Sequence, residues 1–154
     1  MIERILKILA VTLVAALVVI QFFQIDQTNP PVNAAEMLEA SISLPPDINL
    51  IISRSCNDCH SHKTLYPWYI NVQPAGWFMK DHIDHARSHL NFSVFNTYPP
   101  KKKAKKLEEI CEQVETQMMP LPSYLWLHRD SVLKEGDAKA LCDWANQERE
   151  RIAL

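Results

Sequence analysis

The sequence predicts an all-α protein, on three observations. No apolar/polar alternation runs beyond four positions, so no half-buried strand is indicated. Apolar residues instead recur three and four apart along several stretches, which marks one face of a helix. Glycine is scarce, with 2 residues, and proline plentiful, with 10; this suits short helices joined by stiff connections and leaves no glycine-rich phosphate loop. At 154 residues there is room for one core, and a formal net charge of −2 gives no reason to expect a nucleic-acid partner.

The first element is apolar. Ile5 to Phe23 carries one charge, Lys7, and as a helix is about 28 Å long, close to a bilayer's hydrocarbon thickness. Arg4 and Lys7 lie at its start and Asp26 beyond its end, so the positive-inside rule puts the N-terminus in the cytoplasm and the rest outside. Val32-Asn33-Ala34 is a poor signal-peptide cleavage site, and Asn29-Pro30-Pro31 separates it from the apolar run. Residues 1–25 are therefore expected to form a single-pass membrane anchor, with a cleaved signal segment as the alternative. Residues 26–45 read as a linker, since Pro30-Pro31 disfavours helix before it, with a short helix over Ala34 to Ala40.

Residues 46–154 make the domain. Pro45-Pro46-Asp47 is a helix start, with proline in the first turn and an acid near the N-terminus. Ile48, Ile51, Ile52 and Ser55 form a stripe leading into Cys56. Thr64 to Gln73 has no period and reads as an aromatic-rich loop. Pro74 opens a helix to about Leu90, with Met79, Ile83, Ala86 and Leu90 inward. Tyr98-Pro99-Pro100 precedes a helix to about Gln117, whose buried face carries Leu107, Ile110, Cys111 and Val114. Its first turns hold the basic run Lys101 to Lys106, read as a solvated face, with a docking patch for an acidic redox partner as the alternative. Met118-Met119-Pro120-Leu121-Pro122 ends that helix. Ser123 to His128 makes a short turn. Lys134 or Glu135 opens a last helix to about Arg151, with Ala138, Leu141, Cys142, Trp144 and Ala145 inward. Trp68, Trp77, Phe92, Phe95, Tyr124, Trp126 and Trp144 are expected in the core.

The chemistry concentrates in Cys56-Asn57-Asp58-Cys59-His60. Two cysteines three apart with a histidine after the second is the pattern of covalent haem c attachment. On a helical turn Cys56 and Cys59 reach one edge of a flat macrocycle, and His60, four on from Cys56, points at its iron from the same side. A thioredoxin-like dithiol needs a strand before the motif, and none is indicated. A structural zinc site usually needs a second clear ligand pair, and none follows. Haem c, one group, is the reading that fits, with His60 as proximal ligand. For the distal position a thioether suits an electron-transfer haem. Met118 and Met119 both sit at a helix end pinned by Pro120, and Met119, next to the proline, is preferred. His82, His85 and His89 share one helix face and are read as an exposed polar face, with a bis-histidine or second metal site as alternatives. His128 is read as a surface or supporting group. Cys111 and Cys142 lie on inward helical faces, and both a disulfide and two buried thiols remain open.

These residues resemble the small membrane-anchored haem-binding domain proteins of bacteria, a group of c-type cytochromes. The matching stretches are Thr28-Asn29-Pro30-Pro31-Val32, Cys56 to His62, Pro67-Trp68-Tyr69, Pro74-Ala75-Gly76-Trp77, Leu90-Asn91-Phe92-Ser93, Met119-Pro120-Leu121 with Tyr124, and Trp144-Ala145. The resemblance implies a monohaem, cytochrome c-like helical domain on the periplasmic side of the cytoplasmic membrane. It places Cys56 and Cys59 on the thioethers, His60 as proximal and Met119 as distal ligand, and makes His82 and His89 ordinary family positions. Where that family has a glycine and an acid before Met-Pro, this chain has Gln117-Met118. No acid/base pair or nucleophile constellation stands out, so an electron carrier is expected rather than an enzyme. A haem-based redox or gas sensor is the alternative, and a peroxidase-like enzyme a weaker one.

Overall fold

The computed structural model describes residues 1–153, and among them every regular element is helical. Seven α-helices follow in order: α1 (Ile2–Ile20), α2 (Pro46–Ser55), α3 (Asn57–His60), α4 (Ala75–His89), α5 (Pro100–Glu115), α6 (Pro122–Leu125) and α7 (Asp137–Ala153). Short 3-10 turns fill the connections, at Ala34–Glu36, Leu38–Ala40, Trp68–Asn71, Phe95–Thr97 and Arg129–Ser131.

Among the described residues, no helix is long and apolar enough to cross a membrane. The expected span ran from Ile5 to Phe23, but α1 stops at Ile20 and carries Glu3, Arg4 and Lys7 in its first two turns. Its uncharged part, Ile8 to Ile20, is about 20 Å long, short of the roughly 30 Å of hydrocarbon. None of its residues is buried.

Residues 26–45, expected as a linker, are packed onto the domain instead. Leu38 and Ile42 belong to the core. The Leu38 amide donates to Phe92 O at 2.9 Å, and the Asn29 side chain donates to Thr64 O. At the far end Trp144 Nε1 donates to Ser43 O at 2.9 Å, and the Arg151 guanidinium to Ser41 O at 2.6 Å. The backbone is irregular here, as the prolines require, but its side chains supply apolar surface that α2 and α7 need covered.

Antiparallel α5 and α7 are the most extensively packed pair, with α2 against α7 and α3 joining α2 to α4. Leu107 and Val114 from α5 meet Leu141, Trp144 and Ala145 from α7 and Ile48, Ile51 and Ile52 from α2. A disulfide joins Cys111 to Cys142, with Cα atoms 4.4 Å apart. The helix ends follow local chemistry. Proline occupies the first turn of α2, α5 and α6, where its missing N–H costs nothing. Helix α5 ends with Gln117 in the left-handed region at φ 57°, and the Met118 amide turns back to Gln113 O at 3.0 Å. Gly136, at φ 87°, delays α7 to Asp137, two or three residues after the expected start. The aromatic expectation holds for Phe92, Phe95 and Trp144. Trp68, Trp77 and Trp126 are exposed.

Candidate functional site

The Cys-x-x-Cys-His run is a turn in its own right rather than the end of α2. At Cys56 the backbone leaves helical geometry, with φ −128°. Its amide closes α2 by donating to Ile52 O, while its carbonyl accepts from Cys59 N at 3.2 Å and His60 N at 2.9 Å. The two thiols and the imidazole therefore hang from one tight turn at the junction of α2 and α3.

The surrounding chain locks that turn from Leu90 to Ser93. The Phe92 amide donates to His60 O at 2.8 Å. The His62 amide donates to Ser93 Oγ at 2.9 Å, and the Asn91 side chain meets His62 Nε2 at 2.8 Å. Arg87 donates to Ser61 O through Nε and to both Asn29 Oδ1 and Thr64 Oγ1 through Nη2. Leu90-Asn91-Phe92-Ser93 therefore serves as the template on which the motif is folded.

His60 Nδ1 lies 3.0 Å from Leu90 O. A carbonyl can only accept, so this nitrogen carries the proton and Nε2 keeps its lone pair. Burial holds the imidazole below its ordinary pKa despite that bond, so it is neutral at neutral pH. A neutral imidazole whose second nitrogen is fixed by a backbone carbonyl is the usual state of a metal-ligating histidine. Burial likewise pushes the Cys56 thiol up to about 12, with Cys59 beside it adding to the effect. Cys59 rises to about 11, through burial and the Asp58 charge. Both are free thiols.

All three groups open into one cavity of about 670 Å³, within the range of about 300–1,000 Å³ usual for cofactor sites. Ile52, Leu90, Phe92, Ile110, Val114, Leu121 and Leu141 give it an apolar lining. Met119 lines it and Met118 does not; Met118 is 59% exposed. The Met119–Pro120 peptide is cis, and the Met119 amide donates to Gln113 O at 3.1 Å. The cavity thus gathers Cys56, Cys59, His60 and Met119 from positions up to 63 apart in the sequence.

Part of the lining was not foreseen. His85 and His89 are exposed, as their amphipathic pattern indicates, and His82 is half-buried, yet that face is the cavity rim rather than open surface. His82 Nδ1 contacts Phe78 O at 2.8 Å. Lys105 and Lys106, from the basic run, also line the cavity, and Lys106 is 13% exposed in its pair with Glu109 at 2.6 Å. What local pattern does not carry is that α4 and α5 face each other across the cavity, which places two polar faces at one opening. Tyr124 also lines the cavity. Its hydroxyl donates to Asp58, and its ring stacks on His128 with centroids 4.0 Å apart. Burial and the Asp58 carboxylate both raise the Tyr124 pKa, so the phenol stays protonated.

The donor set fits an iron macrocycle held at one edge by sulfur. It offers two thiols on one turn, a neutral imidazole beside them, and a thioether in the same apolar chamber. A family model described as a haem-binding domain matches residues 15–147 of the chain. No curated protein and no solved structure matches it.

Proposed function

The chain belongs to the haem-binding domain family, and from that premise we propose that it is a membrane-tethered, monohaem c-type cytochrome that carries electrons on the periplasmic side of the cytoplasmic membrane. The observation that carries this reading is the single cavity shared by Cys56, Cys59, His60 and Met119. Cys56 and Cys59 would hold the haem through thioethers to its vinyl groups. His60 Nε2 and Met119 Sδ would hold its iron. When bound, the haem supplies a one-electron ferrous/ferric couple.

The protein's part is to hold and screen. The Leu90 carbonyl keeps the His60 lone pair available, the Gln113 carbonyl and Pro120 fix the Met119 backbone, and the apolar lining limits water. No acid or base of the chain needs to act on a substrate, so the reading is of a carrier rather than an enzyme. Helix α1 supports the tether. It is apolar with no buried residue, so something outside the chain must cover it. Its short uncharged run is extended by Phe22 and Phe23, and the Lys7 stem allows its charge to reach the headgroups.

Mass spectrometry of the purified full chain is expected to show one haem bound through Cys56 and Cys59; its absence would overturn the proposal. Met119→Ala should abolish the methionine-to-iron charge-transfer band of the ferric protein and lower its potential, while Met118→Ala leaves both unchanged. The reverse result would move the ligand to Met118. Ready binding of carbon monoxide by the ferrous protein would favour the sensor reading. Alkaline carbonate washing of membranes should leave the protein in the pellet, and its release would remove the tether.

A further inference from the structure

Helix α1 is not joined to the domain by a loose connection. Gln21 and Gln73 exchange two hydrogen bonds: Gln21 Nε2 donates to Gln73 O, and the Gln73 amide donates to Gln21 Oε1, each at 2.9 Å. Gln24 Nε2 donates to Asn71 O at 3.2 Å, and Gln27 Nε2 to Asn71 Oδ1 at 2.6 Å. Trp77 Nε1 donates to Phe23 O at 2.9 Å. Gln73 is buried at the centre of this elbow, and its Oε1 accepts the Trp77 amide at the start of α4. Gly76 is packed so closely on Ile70 O and the Gln73 side chain that a methyl group there would collide with them. A tether that only keeps a domain nearby needs none of this. Fixing these six side chains costs conformational entropy that a flexible linker would retain.

Around the elbow the surface is apolar. Phe22, Phe23, Val72, Trp77 and Phe78 are between 40% and 82% exposed, although a folded domain of this size has core available for them. They form a collar at the C-terminal end of an apolar helix that is itself uncovered. Aromatic side chains at the end of an apolar helix are the composition that suits the headgroup level of a bilayer. The Trp77 indole N–H is already satisfied by Phe23 O, so its apolar ring can enter that layer without leaving a bare donor.

We propose that this collar rests in the bilayer surface, so that the elbow holds the domain at one fixed orientation to the membrane. The proposal rests on the reading of α1 as a membrane tether and adds a second contact to it. Phe78 packs against His82, which lines the cavity, with ring centroids 4.1 Å apart and the rings tilted by 41°. The rim from His82 to His89 thus begins one helical turn from the lipid and leads away from it, at about 1.5 Å per residue.

The test uses the full chain with haem bound and reduced, in phosphatidylcholine vesicles, carrying one nitroxide label at a time. The labels replace Leu13 in α1, Val72 and Phe78 in the collar, and Lys139 on α7 as the exposed reference. Accessibility to oxygen is compared with accessibility to a water-soluble nickel chelate. Labels at Val72→Cys and Phe78→Cys should be protected from the chelate at least threefold relative to Lys139→Cys, and Leu13→Cys more strongly still. Chelate access at 72 and 78 equal to that at 139, with 13 protected, would overturn the collar and leave the tether standing. Chelate access at 13 as well would overturn both. Protection at 72 and 78 that persists in detergent, with spin–spin broadening between chains, would show a second copy there instead of lipid and so overturn the proposal. Gln21→Ala with Gln24→Ala should remove the protection at 78 while 13 keeps its own; unchanged protection at 78 would show that the elbow does not orient the domain.

Discussion

The Tyr124 hydroxyl donates to the Asp58 carboxylate at 2.7 Å, which joins the short helix after Met119-Pro120 to the turn between Cys56 and Cys59. The two sides of the cavity are therefore braced by one charged hydrogen bond. Asp58 also accepts the Leu65 amide at 3.1 Å, and its own carbonyl accepts Thr64 Oγ1 at 2.6 Å. Tyr124→Phe removes the brace without changing the ring that stacks on His128. It is expected to cost about 1–2 kcal/mol in urea unfolding, since hydrogen bonds to charged groups lie at the upper end of the usual range. An unchanged midpoint would show that the two sides are held independently.

A second prediction concerns acid. Arg54 pairs with Asp137 at 2.6 Å, each side chain 16% exposed, and so links α2 to the start of α7. Burial works to raise the Asp137 pKa, but the Lys134 amide and the Arg54 bond and charge outweigh it, and the net shift is downward. A carboxylate lowered in the folded state stabilises above its unfolded pKa of about 3.9 and loses that contribution as pH falls through the folded value. Asp137→Asn should therefore lower stability at pH 7 by about 1 kcal/mol and match the parent at the acid end. Thermal melts of both proteins between neutral and acid pH measure the convergence; parallel curves would count against the pair.

Gln117 offers a gain. Its φ of 57° is a conformation that glycine adopts freely and that costs other residues about 1 kcal/mol. Gln117→Gly is expected to stabilise the domain by up to about 1 kcal/mol, and Gln117→Val to destabilise it by more. Both are read from chemical unfolding midpoints, and a neutral glycine variant would show that the α5 terminus tolerates its present residue.

The Cys111–Cys142 bridge closes a loop with a sequence separation of 31. The chain-entropy estimate for such a loop is about 3–4 kcal/mol. Replacing both cysteines with alanine should lower stability by about that amount in the oxidised protein, and a reductant should destabilise the parent but not the variant. Non-reducing digestion followed by mass spectrometry identifies the linked peptides.

What was legible in the sequence was local chemistry. The 3.6-residue stripes and the proline starts located α2, α4, α5 and α7 to within a few residues, because both signals act within one or two turns. Spacing alone singled out Cys56, Cys59 and His60, and Pro120 singled out Met119, and all four line one cavity. What was not legible depends on how elements meet. His82, His85 and His89 read as surface because surface and cavity rim carry the same polar pattern. Lys106 read as solvated for the same reason. Leu38 and Ile42 were lost in a proline-broken stretch whose apolar residues have no period. Trp68, Trp77 and Trp126 were assigned to the core on residue type, and no local rule could have placed them outside. The span of α1 was overestimated because apolar content continues past Ile20, where the helix itself does not.

The bonds from Trp144 to Ser43 and from Arg151 to Ser41 join residues 101 and 110 apart in sequence. Their effect extends to the timing of synthesis. A chain made from its N-terminus presents Leu38 and Ile42 early; the Phe92–Tyr98 stretch meets that segment midway, but α7, which holds Ser43 and Ser41, comes after it. Its Ser41–Ser43 end then has to wait for the rest of the domain before its last two bonds can form. Loss of α7 from Trp144 onward would leave Ser43 and Ser41 without those partners while the bonds of Leu38 to Phe92 and of Ala35 to Asn96 stayed in place. Maturation of the cavity, which Leu141 lines, therefore follows the arrival of α7, and pulse-labelled chains truncated before Trp144 should be more sensitive to protease along residues 41–43 than the full chain.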